Sequence, residues 1–134
     1  MSVKQVKVAV GVVVKAGQIL LARRNLQQHQ GGKWEFPGGK IEAGESTPAA
    51  LTRELKEECD ISATQMQPLI LIEHDYGDKK VSLDTYIVSE FTGQAKGLEG
   101  QTIQWTDFNR LAEFDFPDAN VAILKALEAY LVNE

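Results

Sequence analysis

Residues 39–61 read GKIEAGESTPAALTRELKEECDI, a stretch that predicts an acidic loop followed by a helix. Gly38 precedes it, so a glycine pair stands at its start. Ser46 and Thr47 offer side-chain oxygens of the kind that cap helix N-termini. Pro48 suits the first helical position, where its missing N–H needs no partner. We therefore expect a helix that begins beside Ser46.

The predicted helix carries three glutamates on one side. At about 100° per residue, Glu54, Glu57 and Glu58 share an arc of roughly 100°. The adjoining stripe is apolar and is expected to face a core: Leu51, Leu55 and Cys59. The carboxylates are therefore expected to border a cleft instead of lying opposite the buried face.

The crowding of these carboxylates suggests a metal site. Like charges three or four residues apart cost roughly 0.2–0.5 kcal/mol per pair, and a divalent cation offsets that cost. Carboxylates without a neighbouring Cys or His are hard oxygen ligands, which favour Mg²⁺ or Mn²⁺ over zinc. The alternative is a solvated acidic helix face, and the three residues alone do not decide between the two interpretations.

The spacing across the whole stretch is similar to a known motif. A Gly, five residues, a Glu, seven residues and then Arg-Glu-aliphatic-any-Glu-Glu-any-Gly-aliphatic resembles the Nudix box. The matching residues are Gly39, Glu45, Arg53, Glu54, Leu55, Glu57, Glu58 and Ile61. Asp60 stands where the family has its second glycine, just beyond the helix, where a left-handed backbone is usual. Asp tolerates that conformation better than most residues, so we expect a local stability cost with intact metal chemistry.

The resemblance implies an activity and a set of ligands. Nudix enzymes cleave a nucleoside diphosphate linked to another group, with divalent metal neutralising the phosphate oxygens. By resemblance, the metal ligands are Glu54, Glu57, Glu58 and the backbone carbonyl of Gly38, where a glycine turn lets the main chain approach an ion. Mg²⁺ is the expected cofactor, with Mn²⁺ as the alternative. The resemblance also implies that Arg53 orients the neighbouring glutamates through a salt bridge, while Gly39 and Glu45 support the site.

A second acidic position lies in the glycine-rich loop GLEGQ at residues 97–101. This loop resembles the Lys-Glu-Gly-Gln segment of the MutT branch of the family, whose glutamate approaches the metal. Glu99 is therefore a candidate metal ligand and general base. Glu54 is the competing base, and an ordinary solvated loop glutamate is the alternative interpretation of Glu99.

Three further segments are similar to the MutT branch. They are ARR at 22–24, WEFPGGKIE at 34–42 and FPDAN at 116–120. By resemblance Asn120 reads an oxidised guanine, and an amide suits this role because its donor and acceptor pair with a purine edge that carries both. The alternative is that Asn120 only caps the C-terminal helix.

Three other residues are expected to contact substrate by the same resemblance. Phe36 is expected to stack on or pack against the base, with a place in the core as its alternative. Arg24 is expected to hydrogen-bond substrate. Lys79 stands where the branch has an arginine on a hairpin turn, and Asp118 replaces a proline beside Asn120, adding negative charge near the base pocket.

The predicted function is a pyrophosphohydrolase that converts 8-oxo-dGTP to 8-oxo-dGMP and pyrophosphate, and so sanitises the nucleotide pool. A second hypothesis keeps the chemistry but changes the base to CTP, another (d)NTP or a modified pyrimidine nucleotide. A third is a non-catalytic Nudix module that senses nucleotides. Such modules typically lose box glutamates, whereas this chain retains Glu54, Glu57 and Glu58.

Composition limits the remaining possibilities. The 134 residues, 43% hydrophobic and 25% charged, suit a single domain over 1–134. A net charge of −5 argues against a long nucleic acid as partner. No apolar run approaches the roughly 20 residues that span a membrane. Cys59 has no cysteine to pair with, which fits a cytoplasmic location. We expect a monomer or a weak homodimer.

Hydrophobic patterning predicts strands interleaved with two main helices. The expected strands cover 6–14, 18–22, 34–36, 69–73, 81–88 and 103–105, with a helical turn at 107–113. A C-terminal helix is expected over 118–132, with one apolar side formed by Val121, Leu124, Leu127 and Leu131. The fold class is therefore α/β, and the resemblance implies a Nudix-type α/β/α sandwich around a mixed parallel and antiparallel sheet.

Overall fold

The computed structural model describes residues 4–23 and 32–132. Its strands are β1 (Lys4–Lys15), β2 (Gln18–Arg23), β3 (Trp34–Glu35), β4 (Gly38–Lys40), β5 (Ser62–Asp75), β6 (Lys79–Thr92) and β7 (Ile103–Asp107). Its α-helices are α1 (Thr47–Cys59) and α2 (Val121–Val132), and short 3₁₀ segments cover Phe108–Glu113 and Asp118–Asn120. The predicted α/β class is confirmed.

The sheet is mixed and is organised around β1. Along the described strands the order is β3-β2-β1-β6-β5, with β4 paired to β1 and β7 paired to β2. Strands β1 and β6 run parallel, whereas the other pairs are antiparallel. In the β1–β4 pair, Gly39 lies opposite Ala9 and Gly38 opposite Val10. The glycine pair is therefore fixed against the central strand.

Helices α1 and α2 cover opposite faces of this sheet, because β1 alternates between two cores. Ala9 and Val13 pack in the core beneath α1, and Val10 and Val12 pack in the core beneath α2. Gly11 faces α1, since a Cβ there would lie 3.0 Å from a methyl carbon of Leu51. A valine-rich strand buried on both faces produces the sandwich.

Helix α1 forms as its local sequence predicts. The Ser46 hydroxyl accepts a hydrogen bond from the N–H of Ala49 at 3.2 Å, and Pro48 is the second helical residue. Asp60 ends the helix in the left-handed conformation, with φ 59° and ψ 32°. The apolar stripe of α1 is fully buried: Leu51, Leu55 and Cys59. Burial raises the pKa of the Cys59 thiol to about 12, so Cys59 belongs to the core.

The outer elements differ from the predictions in two ways. Strands β5 and β6 extend well beyond 69–73 and 81–88, because they pair along their whole length despite register shifts near Gln65 and Pro68. Helix α2 begins only at Val121, after the 3₁₀ turn. Of the predicted apolar side, Leu124, Leu127 and Leu131 pack in or against the core, but the prediction is wrong for Val121. Val121 is 43% exposed and Ile123 is fully buried, because Ile123 and Leu127 lie one turn apart on the face towards the sheet.

The described helices are all too short or too polar to cross a membrane. This finding covers residues 4–23 and 32–132.

Candidate active site

Arg53 is the centre of an ion-pair network on α1. Its Nε and Nη2 donate to the two carboxylate oxygens of Glu45 at 2.8 and 2.9 Å, a bidentate geometry. Its Nη1 donates to Glu54 Oε1 at 2.8 Å and, more weakly, to Glu57 Oε2 at 3.5 Å. Its Nη2 also donates to the carbonyl of Lys40 at 3.1 Å. The guanidinium therefore holds two box glutamates to the loop that precedes the helix.

Glu45 is held as an anion by this network. The hydrogen bonds from Arg53, with a further one from the N–H of Glu42 at 2.8 Å, lower the pKa of Glu45 to about 2. The same pairing raises the pKa of Arg53 above its ordinary value. Because both oxygens of Glu45 are engaged, its geometry suits support of the site.

The glycine pair fits against two box glutamates. A Cβ on Gly39 would lie 2.4 Å from the carboxyl carbon of Glu54, so that carboxylate lies directly against the glycine. A Cβ on Gly38 would lie 2.0 Å from the carbonyl oxygen of Ala9, and Gly38 has φ +156°. The N–H of Gly38 donates to Glu58 Oε2 at 3.2 Å. Any side chain at either glycine would displace its neighbours.

Glu58 lies in the least favourable electrostatic position of the group. Burial, together with the charges of Glu54, Glu99 and Glu35, raises its pKa to about 8, and the hydrogen bond from the N–H of Gly38 opposes this shift. A bound cation would relieve both the desolvation and the repulsion. The electrostatics of Glu58 therefore favour a positively charged ligand.

The loop that carries Glu99 is attached to the end of α1. The N–H of Leu98 and the side-chain Nε2 of Gln101 both donate to the carbonyl of Glu58, at 2.9 and 3.0 Å. Gln101 Oε1 accepts the N–H of Glu99 at 2.8 Å. Glu58 and Glu99 consequently line one cavity of about 250 Å³, together with Arg23, Glu35, Gly38 and Gln101.

The donor set fits a hard divalent cation, although it is not clustered. Within the described ranges, no three Asp, Glu, His or Cys side chains are close enough to hold one metal ion. Glu54 forms an ion pair with Arg53, and Glu58 accepts a hydrogen bond from the N–H of Gly38. The side chain of Glu57 is 55% exposed. Carboxylate oxygens beside a glycine carbonyl are nevertheless the ligands that Mg²⁺ and Mn²⁺ prefer. Ligation of one ion by all three glutamates therefore requires their side chains to rotate.

A second cavity of about 610 Å³ adjoins the first, and Glu35 and Gly38 line both. It brings together Phe36, Lys79 and Asn120 from three separate segments. The remainder of its wall is mostly apolar and includes Val8, Val10, Tyr76, Val81, Leu83, Pro117 and Ala119. Asp118 is exposed and is not part of this wall.

Phe36 and Lys79 make contacts that the sequence did not reveal. Phe36 is only 4% exposed and stacks on Phe116, with ring centroids 5.4 Å apart and an interplanar angle of 18°. It therefore packs in the core and contributes an edge to the cavity. The Nζ of Lys79 lies over the ring of Tyr76, 5.7 Å from its centroid. Arg24 lies outside the described residues.

The predicted site residues did not include several residues that line the cavities, among them Arg23, Glu35 and Gln101. Glu35 lines both cavities, and Gln101 joins the Glu99 loop to α1. Glu35 lies inside the segment 34–42 and Gln101 inside the loop 97–101. The sequence motifs therefore contained both residues. Their contacts with the site connect segments that are distant in the chain, so the motifs alone did not identify them as site residues.

The chain is similar in sequence to known proteins along most of its length. The NUDIX domain model matches residues 9–126. The 8-oxo-dGTP diphosphatase of Escherichia coli strain K12 is 34% identical over 126 residues, which cover 93% of this chain and 98% of that protein. The CTP pyrophosphohydrolase of the same strain is 32% identical over 126 residues, covering 94% and 93%.

Solved structures give the same result. A MutT structure from a study of the Aliivibrio salmonicida and Vibrio cholerae proteins superposes with a TM-score of 0.82 at 36% identity. The match covers 95% of this chain and 99% of that one. The chain belongs to the Nudix family and is a Nudix hydrolase.

Proposed function

We propose that this hydrolase is a Mg²⁺-dependent nucleoside triphosphate pyrophosphohydrolase whose preferred substrate is 8-oxo-dGTP. The observation that carries the proposal is the joining of the two cavities. An acidic cavity suited to metal-bound phosphate shares Glu35 and Gly38 with a larger apolar cavity that presents the amide of Asn120. A nucleotide that spans both cavities would place its base beside Asn120 and its phosphates beside the glutamates.

The residues that would hold the metal are Glu54, Glu57, Glu58, Glu99 and the carbonyl of Gly38. When bound, the ion supplies charge neutralisation for the phosphate oxygens and the leaving group. Arg53 keeps Glu54 beside Gly39 and thereby limits the positions that this carboxylate adopts. Gly38 keeps Glu58 at the cavity wall through its N–H.

The chemical step requires one carboxylate that takes a proton from water. Water oxygen bonds to one phosphorus of the anhydride while the bond between that phosphorus and the bridging oxygen breaks, which yields the nucleoside monophosphate and pyrophosphate. The water proton passes to Glu99 or to Glu54. The position of Glu99 in the wall of the acidic cavity supports the first assignment, and the position of Glu54 against Gly39 supports the second.

Recognition of the base would rest on the larger cavity. The Asn120 amide offers a donor and an acceptor, which complement a purine edge that carries both. Phe36 and Lys79 also line this cavity, and the Nζ of Lys79 lies over the ring of Tyr76. Asp118 is exposed outside the wall, so its charge does not face the base directly. A role for Arg24 in binding substrate remains part of the proposal.

A second candidate substrate is CTP. The comparison that favours it is the CTP pyrophosphohydrolase relative, whose 32% identity is close to the 34% of the 8-oxo-dGTP diphosphatase. An amide pairs with a cytosine edge as well as with a purine edge. With either base we place the enzyme in the cytoplasm, as a monomer or weak homodimer that acts on free nucleotides. Its net charge of −5 opposes binding to long nucleic acid.

A hydrolysis panel with Mg²⁺ tests the proposal. It compares kcat/KM for 8-oxo-dGTP, dGTP, CTP, 5-methyl-dCTP and ADP-ribose, with Glu54→Gln as the blank. We expect kcat/KM for 8-oxo-dGTP to exceed that for dGTP by about 10²-fold or more. Asn120→Ala should make this ratio smaller. A profile led by CTP would move the assignment to the pyrimidine hypothesis. Absence of turnover in every case would refute the enzymatic proposal.

A further inference from the structure

The loop at residues 96–101 completes the C-terminal end of α1. The last carbonyls of an α-helix have no partner within the helix. Here the N–H of Leu98 donates to the carbonyl of Glu58, and the N–H of Lys96 donates to the carbonyl of Cys59, each at 2.9 Å. The loop is thereby fixed to the same turn of helix that carries the Glu58 side chain.

Gln101 adds a side-chain bridge to this attachment. Its Nε2 donates to the carbonyl of Glu58 at 3.0 Å, while its Oε1 accepts the N–H of Glu99 at 2.8 Å. Both ends of one amide are therefore used, one on the helix and one on the loop. Gln101 is half-buried, and Glu58, Glu99 and Gln101 line the same cavity.

Glycines flank Glu99 on both sides, at positions 97 and 100. A Cβ on Gly97 would lie 2.1 Å from the carbonyl oxygen of Gln101, so the loop is tightly folded there. Gly100 has a left-handed φ of +79°. Glycines restrict the backbone least, so position 99 depends on hydrogen bonds for its orientation. The bond from Glu99 N–H to Gln101 supplies one.

We propose that Gln101 is a positioning residue that sets the direction of Glu99 relative to the carboxylates of α1. The inference rests on the proposed function, because it assigns Gln101 to the placement of a group at that site. A proton acceptor must lie within about 2.6–3.2 Å of the water it deprotonates, so a small rotation of the loop removes it from reach. Gln101 touches neither water nor substrate in this role; it acts through Glu99.

The test uses Gln101→Met, which keeps the length of the side chain and removes both hydrogen bonds. The matched control is Gln94→Met, the same substitution at an exposed position of the connection between β6 and β7, outside the loop at 96–101. The first measurement is solvent exchange of the Glu99 amide in metal-free protein. We expect exchange about tenfold faster in Gln101→Met, because the amide loses its acceptor, and no change in Gln94→Met. Gln101→Glu keeps the acceptor and should retain the slower exchange.

The second measurement is a double-mutant cycle on hydrolysis of 8-oxo-dGTP with Mg²⁺. Gln101→Met should lower kcat by about 10–100-fold with little change in KM, because a misplaced base weakens the chemical step. In the Glu99→Gln background the same substitution should cost nothing further. A merely structural role would lower kcat by the same factor in both backgrounds.

The two measurements separate the possible failures. If the wild-type protein hydrolyses no nucleotide, the proposed function fails. The exchange rate of the Glu99 amide then still shows whether Gln101 positions Glu99. Equal Glu99 exchange in the wild type and in Gln101→Met overturns the inference. Additive losses of kcat in the cycle also overturn it. Should Gln101→Met not fold, Gln101→Ala replaces it in both measurements, with Gln94→Ala as the matched control.

Discussion

Single side chains in this protein are defined by partners that are distant in sequence. Arg53 reaches back to Glu45 on the preceding loop, and Phe36 stacks on Phe116. The Nudix resemblance predicted that Arg53 holds glutamates by a salt bridge, and the structure places it in that geometry. The position of Phe36 in the core was one of two alternatives, because an aromatic residue beside a glycine pair fits either a core or a pocket.

The buried hydroxyl of Thr106 on β7 is expected to lower the stability of the folded protein. Thr106 is 4% exposed, and within the described residues its Oγ1 has no hydrogen-bond partner. Burying an unpaired hydroxyl costs about 1–3 kcal/mol. Thr106→Val removes the hydroxyl at similar volume, so we expect the free energy of unfolding to rise by about 1 kcal/mol, measured by urea denaturation.

Thr106→Ser is the control for this prediction. It keeps the hydroxyl and removes a methyl group, so it should lower stability by about 1 kcal/mol. A loss of stability in Thr106→Val would show that the hydroxyl has a partner, such as a buried water.

At the scale of elements, α1 and the central strands follow directly from local sequence. The helix caps, the apolar stripe and the arc of glutamates each depend on neighbours within about four positions along the chain. At that separation the helix geometry fixes the directions of the side chains. The long strands β5 and β6 were predicted only in part. Their outer portions are polar or irregular around Pro68, and only pairing with the neighbouring strand identifies them. In α2, which starts three residues later than expected, Leu124, Leu127 and Leu131 pack in or against the core as the apolar side predicted, whereas Val121 is exposed and Ile123 is buried.

Asp60 stands at the end of α1 where the family has a glycine, and substitutions there measure the free-energy cost of a Cβ in the left-handed conformation. Asp60 has φ 59° and its carboxylate pairs with Lys56 at 3.0 Å. We compare Asp60→Gly with Asp60→Ala, since both remove the ion pair and only alanine retains a Cβ. Asp60→Ala should be less stable than Asp60→Gly by about 1 kcal/mol, measured by denaturant unfolding, because a Cβ is disfavoured in the left-handed region.

The activities of both Asp60 variants serve as the control. Neither substitution touches a cavity-lining residue, so kcat should stay near the wild-type value. Equal stability of the two variants would mean that the helix end relaxes into another conformation.

At the scale of the whole molecule, the acidic cavity exists only because separate segments meet. Glu35 comes from β3, Glu58 from α1 and Glu99 from the loop before β7. Their proximity makes the stability of the protein depend on pH. The pKa of Glu58 is raised to about 8 by burial and by its acidic neighbours.

The direction of this dependence follows from proton linkage. A carboxyl with a raised folded-state pKa contributes stability fully below its unfolded value of 4.5, and that contribution is lost as pH rises through about 8. In EDTA, the unfolding free energy of the wild type should therefore fall between about pH 4.5 and pH 8, and this contribution should level off above about pH 8. Glu58→Gln should flatten this fall, and the exposed Glu90→Gln should not.

Added Mg²⁺ extends the same experiment. A cation that binds the folded state raises its stability, so Mg²⁺ should restore the wild type at about pH 8. It should have a much smaller effect on Glu58→Gln, which lacks one proposed ligand. An unchanged pH slope in Glu58→Gln would contradict the electrostatic account of the cavity.

The amino-acid sequence by itself determined α1, its caps, its apolar stripe, the arc of glutamates and the family to which the chain belongs. These features depend on spacing along the chain, and backbone geometry converts spacing into direction. Only the tertiary structure decided that Glu35, Glu58 and Glu99 line one cavity, that Phe36 belongs to the core, and that Gln101 joins Glu99 to α1. These contacts connect segments that are distant in the chain, and their geometry arises only when the sheet packs between the two helices.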